Sequence, residues 1–296
     1  IVDYCGGLED LKTGTLRLIG DPELRYREDP VRMLRAIRIA NKLRFRLEPA
    51  SAAPIGRLAP LLGEVPAARL FDEVLKILMC REGPDNLYGL RIYGLFRQLF
   101  PATDALMGDA AVLGFVNSAL ANSADRIARD MPVSPAFLYA ALLWPAVEKR
   151  TRALQESQGH PEQVAIAQAS EEVLAKAILR VAIPKRFSIP MREIWAMQTR
   201  FEMRSHTRAR KLMTHPRFRA AYDFLVLRAK YGDAQLQELA TWWTEAQKGG
   251  DLPAVVAGRD DEGDSSSREA GVEAPRRRRR RRGGRRHAGP EAAPAG

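Results

Sequence analysis

The sequence predicts a mainly α fold: a long series of amphipathic helices, preceded by a short piece with strand character and followed by a low-complexity tail. Three observations carry this. From Asp29 to about Gln247, apolar residues recur three and four positions apart, the spacing of one helix face. Pro101, Pro132, Pro184, Pro190 and Pro216 fall between the periodic stretches, as helix boundaries. Period-two alternation is confined to Thr15-Leu16-Arg17-Leu18-Ile19, before Gly20.

Taken in order, residues 1–25 are punctuated by Gly6, Gly7 and Gly14 and begin with neither Met nor a helix cap. They read as the last piece of a domain whose body lies upstream. Asp29 suits an N-cap and Pro30 a first helical position. Val31, Leu34, Ile37 and Leu43 then mark an apolar face, while Arg32, Arg35, Arg38 and Lys42 line another. A second helix fits Ala67–Met79, with Leu70, Val74, Ile77 and Leu78 as its stripe and Arg69–Glu73 and Asp72–Lys76 as i,i+4 ion pairs. Further helices fit 87–99, 109–122, 135–149, 160–181, 190–204, 206–213, 216–230 and 233–247. The longest apolar stretch, Ala136–Val147, contains Pro145 and is too short to span a bilayer, so it is expected as a core helix. Trp144, Trp195, Trp242 and Trp243 are expected in cores, and Cys5 and Cys80 as buried thiols. Two cysteines build neither a disulfide framework nor a Cys-based zinc site, which fits a reducing, cytoplasmic setting.

The chain carries 47 Lys or Arg against 36 Asp or Glu, a net +11, distributed unevenly. Gly258–Ala274 holds 2 Arg and 6 acids, and Pro275–Arg286 holds 9 Arg and no acid. Such a segment buries too little apolar surface to offset its ordering entropy, so residues 249–296 are expected to be disordered. Its run Arg276, Arg277, Arg278, Arg279, Arg280, Arg281 and Arg282 suits a polyanion, nucleic acid first, through counterion release. Lys185–Tyr231 carries 12 bases against 3 acids. Lys185, Arg186, Arg192, Arg208, Arg210 and Lys211 are its candidate RNA contacts, extending the track begun by Arg38 and Lys42.

The most informative run is Leu18–Phe45. Asp29 and Arg32 lie three apart at a helix start, one an acceptor and the other a donor fork. Adenine presents an amino donor and a ring-nitrogen acceptor on its Watson–Crick edge, and cytosine presents the same order. Guanine and uracil present the reverse. Asp29 and Arg32 could therefore select A or C without a template, with Glu28 orienting Arg32 and Arg35 beside them.

Glu28-Asp29-Pro30-Val31-Arg32-Met33-Leu34-Arg35, with Leu18–Pro22 and Arg25-Tyr26-Arg27 before it, resembles the base-reading motif of bacterial-type (class II) template-independent nucleotidyltransferases. These are the CCA-adding tRNA nucleotidyltransferases and the bacterial poly(A) polymerases. Arg69–Lys76, Asn86–Phe100, Pro135–Trp144, Ile189–Trp195, His215–Ala229 and Trp242-Trp243 resemble the poly(A) polymerase branch. The resemblance implies a remnant of an α/β head at 1–25, a neck for base recognition and RNA binding at 26–100, a helical body at 101–248 and the Arg-rich tail at 249–296. It implies addition of poly(A) to RNA 3′ ends from ATP, with Mg2+ bound by the head, and RNA-decay proteins as possible partners. The Gly-Ser and paired Asp that such a head needs do not occur as a set in this chain, which has no Gly-Ser dipeptide. No catalytic or metal-binding residue is therefore assigned, and the chain is expected to be inactive alone. The alternatives are a CCA-adding enzyme and a non-catalytic RNA-binding helical protein.

Overall fold

A computed structural model describes residues 2–248, which fall within one compact unit; residues 249–296 lie outside the described residues. The expected disordered tail and Arg276–Arg282 thus lie outside them too.

The chain runs through α1 (Gly7–Thr13), β1 (Thr15–Leu16), α2 (Pro22–Glu28), α3 (Val31–Leu43), β2 (Arg46–Leu47), α4 (Pro49–Ala52) and α5 (Ile55–Leu58). After a 3-10 turn at Ala59–Glu64 come α6 (Ala67–Leu78), α7 (Gly83–Ile92), α8 (Leu95–Leu99), α9 (Pro101–Asp104) and α10 (Ala110–Ala128). The rest is α11 (Pro135–Gln158), α12 (Glu162–Val181), α13 (Lys185–Arg200), α14 (His206–Met213), α15 (Phe218–Ala229) and α16 (Ala234–Ala246). The mainly α prediction holds.

The strand expected at 15–19 is shorter, Thr15–Leu16, and pairs in parallel with β2 in the register Thr15↔Arg46 and Leu16↔Leu47. Its partner is formed because α3 stops at Arg44, whose φ of 56° turns the chain back toward β1.

The helix expected over 87–99 is two helices. Gly94, at φ 68°, adopts the left-handed conformation that an unbroken helix cannot contain. Pro190 is not a boundary but lies in the second turn of α13. Burial of Met191, Ile194 and Trp195 stabilises the helix beyond the one backbone bond that proline removes. Pro145 sits inside α11 in the same way, and the stretch Ala136–Val147 is core as expected.

One apolar core runs from Tyr26 on α2 to Leu227 on α15, with α11, α12 and α13 packed at its centre. Trp195 is fully buried there, its Nε1 donating to the Ala140 carbonyl at 3.2 Å. A smaller core gathers Phe201, Leu212, Phe218, Leu225 and Trp243 from α13 to α16. Trp243 meets Phe201 edge-on at 5.0 Å and donates to its carbonyl at 2.8 Å. All four tryptophans are buried. Cys5 departs from expectation: it is exposed, and Cys80 is half-buried with its thiol shifted upward by burial.

Candidate nucleotide and RNA site

The site is set where α2 hands over to α3. Asp29 sits between them with extended backbone, φ −147° and ψ 93°. Its Oδ1 accepts the Val31 N–H at 3.2 Å, the capping role its sequence position suggests. Its Oδ2 accepts from Arg69 Nη2 at 2.7 Å. One turn on, Arg32 Nη1 donates to Glu28 Oε2 at 3.0 Å and to the Arg25 carbonyl at 2.8 Å. Arg25 Nη1 reaches the same Glu28 oxygen at 2.6 Å. The Arg32 hydrogen bond, chiefly, holds the Glu28 carboxyl below its ordinary range, so it stays anionic at neutral pH. Asp29 and Arg32 are therefore fixed by other partners and not by each other. Arg32 Nε and Nη2 have no partner among the described residues.

The second anchor is Glu73 on α6. Its carboxylate accepts from Arg38 Nε at 3.2 Å and from Arg35 Nε at 3.5 Å, with Lys76 Nζ at 3.8 Å. This replaces the expected surface pairs: Arg69 goes to Asp29 and Lys76 to Glu73, so neither Arg69–Glu73 nor Asp72–Lys76 forms. The sequence carried the signal. Glu73 lies three after Leu70 and four before Ile77, inside the apolar stripe, and so faces α3 and is 2% exposed. Lys42 is exposed at the far end of α3.

The basic stretch 185–231 is less free than its composition suggests. Arg192 pairs with Glu171, Arg204 with Glu238 at 3.0 Å, and Arg217 with Glu193 at 3.0 Å. Arg219 pairs with Asp223. Arg228 stacks over Trp144 at 4.5 Å beside Glu148, and burial lowers its guanidinium pKa. Counting charge within a window missed Glu148, Glu171 and Glu238, which reach in from α11, α12 and α16. Lys185, Arg186, Arg208, Arg210 and Lys211 are exposed without an acidic partner among the described residues. Three of these stand on α14, whose Ala209 and Leu212 face the smaller core.

Two family models match the chain. Residues 44–107 match "Probable RNA and SrmB-binding site of polymerase A", and residues 158–285 match "Polymerase A arginine-rich C-terminus". Poly(A) polymerase I of Salmonella typhi is 48% identical over 250 residues, covering 83% of this chain and 54% of that protein. Its counterpart in Haemophilus influenzae is 43% identical over 248 residues, covering 83% and 55%.

The chain belongs to the bacterial poly(A) polymerase family.

It spans about half the length of the curated relatives it matches. The CCA-adding enzyme of Levilactobacillus brevis is a more distant relative, 36% identical over 97 residues, 33% of this chain and 24% of that enzyme. Among the described residues of this poly(A) polymerase family member, no three His, Cys, Asp or Glu side chains cluster as metal ligands would. They offer no ligand set that fits Mg2+. No described helix is long and apolar enough to cross a membrane.

Proposed function

We propose that this chain supplies nucleobase selection and RNA binding to a polynucleotide adenylyltransferase that extends RNA 3′ ends with A from ATP. The reaction is attack of the RNA 3′-hydroxyl on the α-phosphate, with release of pyrophosphate. In this reading Asp29 accepts from the adenine amino group. The unpartnered nitrogens of Arg32 donate to the ring nitrogen. Glu28 and Arg69 are positioning residues: the first holds Arg32 and the second holds Asp29. Arg35 and Arg38, clamped by Glu73, line the adjoining face of α3 with Lys42. Lys185, Arg186, Arg208, Arg210 and Lys211, which have no acidic partner among the described residues, hold the RNA backbone together with the Arg276–Arg282 run, while Arg192 is taken up by Glu171. Phosphate contacts of this kind add affinity without sequence choice. Such 3′ tagging serves RNA decay, and the cytoplasm is the setting.

The observation that supports this most is that third parties preorganise Asp29 and Arg32 at one helix start: Arg32 keeps two nitrogens without a partner among the described residues, and each Asp29 oxygen, accepting one bond already, has a second lone pair for a base amino group. The test uses the full-length protein from which this chain comes. Wild type incorporates ATP far better than GTP or UTP. Asp29→Ala with Arg32→Ala lowers that preference at least roughly 10- to 100-fold, the worth of one hydrogen bond to a charged group. An unchanged preference overturns the assignment. Product length separates the reading from its CCA-adding relatives: a long A tract on varied RNAs, against a fixed CCA on tRNA. The 296-residue chain on its own is expected to show no adenylation.

A further inference from the structure

A groove of about 580 Å3 opens between α11 and α12, closed at one end by the junction of α8 and α9. Its floor is apolar, formed by the buried Leu99, Phe100, Leu143 and Ala146. Ala153 and Ala177 on its walls are small and leave the space open. Leu179 stands at its edge, 83% exposed. A contiguous apolar surface of this kind, ringed by charge, marks a docking site more often than a bare surface.

The ring is basic. Lys149, Arg150, Lys176 and Arg180 border the groove, with Glu172 as the one acid among its lining residues. Glu172 is taken up by Arg150 at 2.6 Å. Lys149 and Lys176 are exposed and make no hydrogen bond or close ion pair among the described residues, although the Lys176 charge lies near enough to Glu172 to help hold its carboxyl low. RNA fits this surface poorly. Phosphates gain nothing from an apolar floor, and the one aromatic ring lining it, Phe100, is buried and offers no face for a base to stack on. An apolar stripe between acidic flanks fits both features at once.

We propose that this groove docks an amphipathic helix of another protein, with apolar side chains at i, i+3 or i+4 and i+7 and Asp or Glu on its flanks. Its apolar stripe enters between α11 and α12, as helix-in-groove recognition requires. Its flanks meet Lys149 and Lys176, which set orientation and speed association.

The experiment is fluorescence anisotropy on the 296-residue chain with three labelled synthetic peptides of equal length. The first carries Leu at the helical stripe and Glu elsewhere. The second replaces every Glu by Lys. The third keeps Glu but replaces Leu by Gln, and reports attraction to the Arg-rich stretch alone. The first is expected to bind at least tenfold more tightly than either control. Lys149→Glu with Lys176→Glu, and separately Leu179→Glu, are expected to weaken it at least fivefold. These are surface positions, and circular dichroism checks that each variant folds. Binding of the first peptide that is no tighter than the controls, or that the groove variants leave unchanged, overturns the proposal. So does a result in which Leu179→Glu disperses a dimer of this chain or lowers oligo(A) affinity, since the occupant is then a second copy or RNA.

Discussion

Replacing Glu73 by Gln keeps the size of a side chain that is 2% exposed but removes its charge from between Arg35, Arg38 and Lys76. Gln keeps one acceptor oxygen and places an amide N–H₂ where the second oxygen received a guanidinium. At least one charge-assisted bond is lost and two arginines are left facing each other. A hydrogen bond to a charged group contributes about 1.5–3 kcal/mol. The partners temper this, because Arg35 and Arg38 are 42% and 25% exposed in their side chains and can turn partly to water. The expected net loss is about 2 kcal/mol. For a folded unit of this size that lowers Tm by about 4–8 °C. Thermal unfolding followed by circular dichroism measures it. A double-mutant cycle of Glu73→Gln with Arg38→Met should give a coupling of about 1 kcal/mol, because the two groups share one contact. A Glu73→Gln variant that melts within a degree of wild type, or a cycle with no coupling, refutes the view that Glu73 anchors the basic face of α3.

Three further outcomes follow from single contacts. Glu23 accepts from both Arg57 and Arg27, and chiefly the Arg57 bond depresses its carboxyl from 4.5 to about 2. A depressed carboxylate adds stability that is complete above the unfolded value and disappears as pH falls from 4.5 toward 2. Glu23→Gln should therefore flatten the fall of Tm across that window, and an unchanged slope would count against the pair. Trp195→Phe removes the 3.2 Å bond to the Ala140 carbonyl and leaves that oxygen buried, for a loss of about 1–2 kcal/mol in urea unfolding; a variant as stable as wild type would show the bond to be idle. Alanine at Arg208, Arg210 and Lys211 together should make the slope of log affinity for oligo(A) against log salt shallower by about 2, at roughly 0.7 per single-strand phosphate contact. A slope that does not change would place RNA elsewhere.

The helical body was legible because burial imposes a period. Leu70, Val74, Ile77 and Leu78 announce one face of α6, and the apolar run Ala136–Val147 announces a helix enclosed on all sides. Local backbone chemistry was legible too: Asp29 before Pro30 gave the start of α3, and its carboxylate does accept the Val31 N–H. Errors appeared where one signal had two readings. Proline in the first turns of a helix costs little more than one backbone bond, and burial of Met191, Ile194 and Trp195 carried α13 through Pro190. Gly94 passed as a helix residue because its left-handed φ leaves no trace in hydropathy.

The sequence by itself determined most of the helices, which of their faces are apolar, and that Asp29 and Arg32 stand one turn apart at the start of α3, since these depend on neighbours within a turn or two. Only the tertiary structure decided whom each charge serves. Asp29 is held by Arg69 from 40 positions away, Arg35 and Arg38 by Glu73 from 38 and 35. Five of the twelve bases in an apparently free stretch are answered by acids on α11, α12, α13, α15 and α16. An ion pair acts over a few ångströms and takes no account of distance along the chain, so its partner appears only once the helices have packed.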